Sequence, residues 1–154
     1  KDGVVASMLI AEMAAYYAQK GKSLYEALQD IYKKYGFYAE KTVSFTMPGK
    51  DGMEKMANIL AGLRTNPPKS ANGMDIVKYT DYKEQTIMLV DGSELPKSNV
   101  LRYDLSDGKT YFIIRPSGTE PKIKIYLGSN AETFDAAMET VDAVLADVKE
   151  QLGL

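Results

Sequence analysis

One short run, Arg115-Pro116-Ser117-Gly118-Thr119-Glu120-Pro121, concentrates the side chains of this chain that could act on an anion. Arg115 carries a planar guanidinium fork that matches a phosphate dianion. Ser117 and Thr119 add hydroxyl donors, and successive backbone N–H groups around Gly118 can form an anion-binding nest. Pro116 and Pro121 stiffen the flanks, and glycine at 118 permits backbone angles that other residues resist. Each hydrogen bond to a charged group contributes roughly 1.5–3 kcal/mol, so four or five of them would hold a phosphate monoester selectively. Lys122 and Lys124 alternate onto one face of the strand that follows and add positive charge beside the loop. Residue types alone leave a second arrangement open, a plain surface loop in which Arg115 pairs with Glu120 and the hydroxyls face water.

The rest of the composition removes other chemistries. The 154 residues contain no His and no Cys, which excludes a Ser-His-Asp triad, a cysteine nucleophile, disulfides and His- or thiolate-bound metals. Gly49-Lys50-Asp51 lacks the Gly-Lys-Ser/Thr of a nucleotide-binding P-loop, and Asp104, Asp107 and Gly108 lack EF-hand spacing. No catalytic residue and no metal ligand set is identified. With 19 basic against 21 acidic side chains, net charge −2, no broad nucleic-acid surface is expected. No run of about 18 apolar residues is present to span a membrane.

The elements that must position the loop follow from hydrophobic period. Val4, Val5, Met8, Leu9, Met13, Tyr16 and Tyr17 recur at steps of three and four, predicting a helix capped by Asp2 and ended by Gly21. Ser23 and Glu26 form a capping box before a second helix carrying Leu24, Leu28, Ile31, Tyr32 and Tyr35, which Gly36 stops. From residue 42 the period becomes two, with Val43, Phe45 and Met47 inward. Asp51 and Glu54 open a third helix with an apolar face of Met53, Met56, Leu60 and Leu63, ended by Asn66-Pro67-Pro68. Strands are predicted near 74–79, near 86–90, and at Leu101–Leu105, with a hairpin turn at Asp107-Gly108. Tyr111–Ile114 is continuously apolar and reads as a strand buried on both faces; Ile123, Ile125 and Leu127 alternate with polar neighbours. A last helix, capped near Ser129 or Asn130, is expected to bury Phe134, Met138, Val141, Leu145, Val148 and Leu152. The change of pattern near 37–41 is the expected domain boundary. The opening Lys1-Asp2-Gly3, without Met or a signal peptide, reads as the interior of a longer protein.

The run Arg115 to Tyr126, RPSGTEPKIKIY, resembles the phosphate-binding loop of the α-D-phosphohexomutases, the phosphoglucomutase/phosphomannomutase family. Leu95-Pro96-Lys97-Ser98-Asn99-Val100-Leu101-Arg102-Tyr103 and Lys122-Ile123-Lys124 are similar to the phosphoglucomutase-type branch, and Lys1-Asp2-Gly3-Val4 resembles the helix after the family's sugar-recognition loop. The resemblance implies an α+β chain. Residues 1–38 would be the last two helices of the third, α/β domain of a four-domain enzyme. Residues 39–154 would be a C-terminal phosphate-binding domain with a TATA-box-binding-protein-like β-α-β4-α fold, which has no place for a strand at 86–90. By matching positions, Arg115, Ser117, Gly118, Thr119 and Lys124 would grip the non-reacting phosphate of a hexose phosphate. The implied reaction interconverts glucose 1-phosphate and glucose 6-phosphate through a bisphosphate, in the cytoplasm. A phosphoserine in the first domain and Mg²⁺ in the second, with glucose 1,6-bisphosphate, would belong to the full-length enzyme, and this portion alone would bind no cofactor and be inactive. A mutase for mannose or another hexose phosphate, and a non-catalytic phosphate-binding or scaffold module, are the alternatives. The implied partners are the hexose phosphate and the remaining domains of the same chain, with neither nucleic acid nor membrane.

Overall fold

A computed structural model describes residues 2–154, leaving Lys1 of the opening tetrapeptide outside the described residues. The chain divides into two compact units, the first ending at Phe37 and the second running from Tyr38 to Leu154.

The first unit is a helical pair. In α1 (Gly3–Gln19), the Asp2 carboxylate accepts from the Val4 and Val5 amides at 3.1 and 3.0 Å, satisfying donors that a helix start leaves unpaired. α2 (Leu24–Tyr35) opens on the expected reciprocal box, with the Ser23 amide donating to Glu26 at 2.7 Å and the Glu26 amide to Ser23 Oγ at 3.2 Å. α1 has no buried residue: Val4, Met8, Leu9 and Tyr16 are all exposed.

The second unit is one sheet with helices on one face. It comprises β1 (Phe37–Thr46), α3 (Gly52–Thr65), β2 (Ser70–Ala71), β3 (Met74–Asp81), β4 (Leu101–Leu105), β5 (Tyr111–Pro116), β6 (Lys122–Ala131) and α4 (Phe134–Leu152). The strand order is β1-β6-β5-β4-β3-β2, antiparallel from β6 through β2. This is the expected β-α-β4-α pattern with one added two-residue strand, β2. Period two sends Leu101, Tyr103, Leu105, Phe112, Ile114, Ile123, Ile125 and Leu127 to one face, where they are essentially inaccessible. Met56, Leu60 and Leu63 of α3 and Ala137, Val141, Val144 and Val148 of α4 complete that core. Each large aliphatic buried there contributes about 1.5–3 kcal/mol. Tyr103 stacks on Phe112 with ring centroids 4.6 Å apart.

Several expectations change, each because of what lies opposite. β1 starts at Phe37 rather than 42; Ala39 and Lys41 take the inward positions and weaken the apolar alternation. Residues 86–90 form no strand. They turn back on themselves through one bridge, Met88 to Glu94, with the Leu89 amide donating to the Ser93 carbonyl at 2.7 Å, and no sheet edge pairs with them. Val90 is accordingly wholly exposed. β5 is fully buried only at Phe112 and Ile114, since α3 and α4 both pack on that face and not on the one that carries Tyr111 and Ile113. β6 continues through Ser129 and Asn130 to Ala131, because the buried Ser129 hydroxyl lies 2.8 Å from that of Thr110 and is held in the sheet. Thr133 is the cap instead, accepting from the Ala136 amide at 3.2 Å, which rotates Phe134 outward. Met53 also points to solvent, and the first buried position of α3 is Gly52.

Gly52 joins the helix to the 115–121 loop. A Cβ there would stand 2.2 Å from the Met47 carbonyl oxygen and 2.9 Å from Pro121 Cβ. Gly52→Ala must therefore move backbone or the second proline of the loop, and is expected to cost about 1–3 kcal/mol as overpacking. Urea unfolding should show a lowered midpoint with unchanged slope; an unshifted midpoint would mean that this contact constrains nothing.

Candidate phosphate-binding site

The site grows out of the β5–β6 register. Ile114 faces Ile125, Arg115 faces Lys124 and Pro116 faces Ile123. With Ile114, Ile123 and Ile125 locked into the core, strand alternation places Arg115 and Lys124 together on the opposite face, as direct cross-strand neighbours. Like charges directly opposite one another are unfavourable in an antiparallel pair. Among the described residues, neither forms an ion pair.

The tip is closed by short-range bonds. The Ser117 amide donates to the Lys122 carbonyl at 2.8 Å, and the Lys122 amide to the Glu120 carbonyl at 2.8 Å. The Pro121 carbonyl accepts from the Met47 amide at 2.8 Å, tying the loop to the end of β1. Glu120 pairs with Lys122 at 2.8 Å and not with Arg115. The hydrogen bond and charge of Lys122 hold the Glu120 carboxyl below its ordinary value, so the one acid in the loop is already neutralised by a neighbour. Gly118 departs from expectation: its φ lies outside the left-handed region, and a Cβ would meet nothing within 4 Å. What glycine provides at 118 is clear space over the backbone rather than an unusual turn.

Arg115, Pro116, Ser117 and Gly118 line one wall of a cleft of about 540 Å³. Met56, Ala57 and Leu60 of α3 make a second wall, and Ser98, Asn99 and Val100 a third. Thr119 sits at the hairpin tip and Lys124 on the strand beside Arg115; neither lines the cleft. A smaller cavity of about 190 Å³, over Phe112 and Ile114 between α3 and α4, has no cationic side chain in its lining.

A polar network behind the third wall has no counterpart in the sequence reading. Arg64, in the last turn of α3, donates from Nε to Asp81 Oδ2 at 2.8 Å and from Nη2 to Asn99 Oδ1 at 2.6 Å. Asp81, at the end of β3, is buried, and also accepts from the Lys83 amide at 2.9 Å. Burial alone would raise its carboxyl, but the hydrogen bond from Arg64 and those from the Lys83 and Glu84 amides prevail and hold it below the ordinary value. No local spacing couples positions 64, 81 and 99. The only available signal was an aspartate at the end of a strand.

The fold is a helix-backed antiparallel sheet with a cationic hairpin loop at the mouth of a cleft. The chain belongs to the phosphoglucomutase/phosphomannomutase family: residues 12–148 match that family's C-terminal domain. It is 33% identical over 150 residues to a phosphoglucomutase of Staphylococcus aureus (strain bovine RF122 / ET3-1), covering 94% of this chain and 27% of that protein. A phosphoglucomutase of Staphylococcus saprophyticus is 32% identical over 148 residues, covering 93% and 26%. This chain thus spans about a quarter of the length of these relatives. The open form of the Paramecium phosphoprotein pp63/parafusin, a phosphoglucomutase, shares the fold at TM-score 0.63 and 21% identity, covering 99% of this chain and 26% of that one.

The depressed Asp81 carboxyl has a signed consequence. Stability from its ionised form is present above the ordinary aspartate value and is lost as pH falls through the lower folded-state value. Asp81→Asn is expected to lose about 3 kcal/mol near neutral pH, by leaving Arg64 without its charged partner. That difference should shrink on acidification. Urea unfolding at a series of pH values checks this, and a pH-independent difference would contradict it.

Proposed function

We propose that this chain is the phosphate-holding C-terminal portion of a phosphohexomutase that interconverts glucose 1-phosphate and glucose 6-phosphate through a bisphosphate, in the cytoplasm. The observation that supports this reading most directly is the opposition of Arg115 and Lys124 across β5–β6 without a carboxylate on either. An arrangement that is unfavourable when empty becomes favourable around a dianion. Ser117 and Thr119 hydroxyls and the loop amides, with Arg115 and Lys124, would grip the phosphate that is not reacting.

A mutase must hold a bisphosphorylated intermediate by either end. Cations, hydroxyls and N–H groups read the phosphate and not the sugar, so one cradle serves both orientations. Which hexose is preferred is then set outside these residues, and mannose phosphate would be gripped equally well. Binding at the remote phosphate also supplies energy to position the reacting end and to favour closure of the domains around it.

Among the described residues no cluster of three or more acidic side chains offers a metal site. The Mg²⁺ of the full-length enzyme would act from another domain, and no step here runs through it. Glucose 1,6-bisphosphate would meet this chain only through one of its phosphates. Residues 1–38 would be the last helices of the preceding domain, whose remainder would cover the exposed apolar side chains of α1. None of the helices described is long and apolar enough to cross a membrane.

The decisive experiment is Arg115→Ala in the full-length protein. Losing the guanidinium fork should lower kcat/KM for glucose 1-phosphate by about a hundredfold or more, since two charge-assisted hydrogen bonds contribute roughly 3 kcal/mol at the least. Wild-type kinetics would sink the assignment. The isolated 154 residues, lacking a phosphoryl donor, should show no turnover of glucose 1-phosphate in a coupled assay. Turnover in a preparation free of other mutases would overturn the reading of the chain as a holder of phosphate.

A further inference from the structure

We propose that Asn99 is a phosphate-contacting residue of the cleft, donating from its side-chain amide, and that Arg64, braced on the buried Asp81, is the positioning residue that sets which way that amide faces. The inference rests on the phosphate reading of the Arg115 loop and extends it to the opposite wall.

The orientation follows from chemistry rather than from the assignment of amide atoms. A guanidinium has donors only, so the end of the Asn99 amide that meets Arg64 Nη2 at 2.6 Å must be the carbonyl oxygen. The NH₂ group therefore stands at the far end, and no described residue accepts from it. Asn99 lines the same cleft as Arg115, Ser117 and Gly118, so the group left over is a donor at a site whose other wall is cationic.

The bracing is heavier than a surface asparagine requires. Arg64 cannot turn away without stranding Asp81, whose side chain is 5% exposed and whose oxygens already take Arg64 and the Lys83 amide. The backbone around Asn99 is held as well. The Ser98 amide donates to the Tyr82 carbonyl at 3.1 Å, and the Tyr82 amide to the Val100 carbonyl at 3.0 Å. A buried ion pair stabilises a fold poorly compared with apolar packing, and its better use is to hold geometry. Here the geometry held is one amide, on a residue that lines the same cleft of about 540 Å³ as the Arg115 loop. A neutral donor also suits a site that must release its phosphate in every cycle.

The test is a ¹⁵N NMR titration of the 154-residue chain with inorganic phosphate, following the Asn99 side-chain NH₂ signals together with the loop amides. Both sets should move along the same saturation curve. Asn99→Asp keeps the acceptor toward Arg64 but turns the donor into an anion, and should weaken phosphate binding about tenfold or more. Arg64→Lys keeps the charge and loses the fork; the loop amides should still respond while the Asn99 NH₂ response collapses. Asn99 NH₂ signals that stay still at saturating phosphate, a readout needing no variant, would overturn the inference. So would an Asn99→Asp chain that binds as tightly as wild type while Arg115→Ala loses affinity, which leaves the phosphate reading standing. If Arg115→Ala also binds as wild type, the phosphate reading itself fails, and this inference with it.

Discussion

The register of β5 against β6 is the constraint on which the site depends. Side chains alternate across a strand with a period of two, so a core that captures Phe112, Ile114, Ile125 and Leu127 on one face settles what lies on the other. Arg115 and Lys124 are outward residues beside the loop, and the register makes them neighbours. A slip of one residue would bury the arginine and expose the isoleucines, at a cost of several buried aliphatic side chains. Hydrophobic packing, which has no direction of its own, thereby holds two like charges together that would otherwise separate. The electrostatic cost is small beside the apolar burial that enforces it.

The loop between those strands is positioned from outside the hairpin. Pro121 is held through its carbonyl by the Met47 amide and through its ring by the start of α3, where Gly52 leaves room for the contact. The opposite wall is held by Arg64, which spans from the end of α3 to Asp81 and Asn99. Both ends of one helix thus set the two sides of one cleft. Glu120, the acid that could have competed for Arg115, is occupied by Lys122 two residues away.

Much of this was legible in the chain itself, where the pattern was local. The caps at Asp2 and Ser23 act within a turn of the residues they satisfy, and the Leu101 to Leu105 alternation needs no partner to be seen. The loop was legible because its chemistry is contiguous. Failures came where a distant element decided. Thr86 to Val90 has strand-forming residues, but it bridges within its own loop and no sheet edge pairs with it. Ser129 looks like a helix cap until Thr110 takes its hydroxyl. Met53 and Phe134 fit the apolar period of their helices, yet sit in the first turns and are exposed.

The amino-acid sequence by itself determined which chemistries were absent, which residues could form an anion loop, and which segments would be helix or strand. These are properties of residue type and short-range spacing. Tertiary structure alone decided that Arg115 stands against Lys124 and not Glu120, and that Gly118 provides space rather than a left-handed turn. It alone decided that Arg64, Asp81 and Asn99 form one network. Those outcomes depend on which strands pair and in what register, an arrangement selected by the burial of a shared core and encoded by no single stretch of chain.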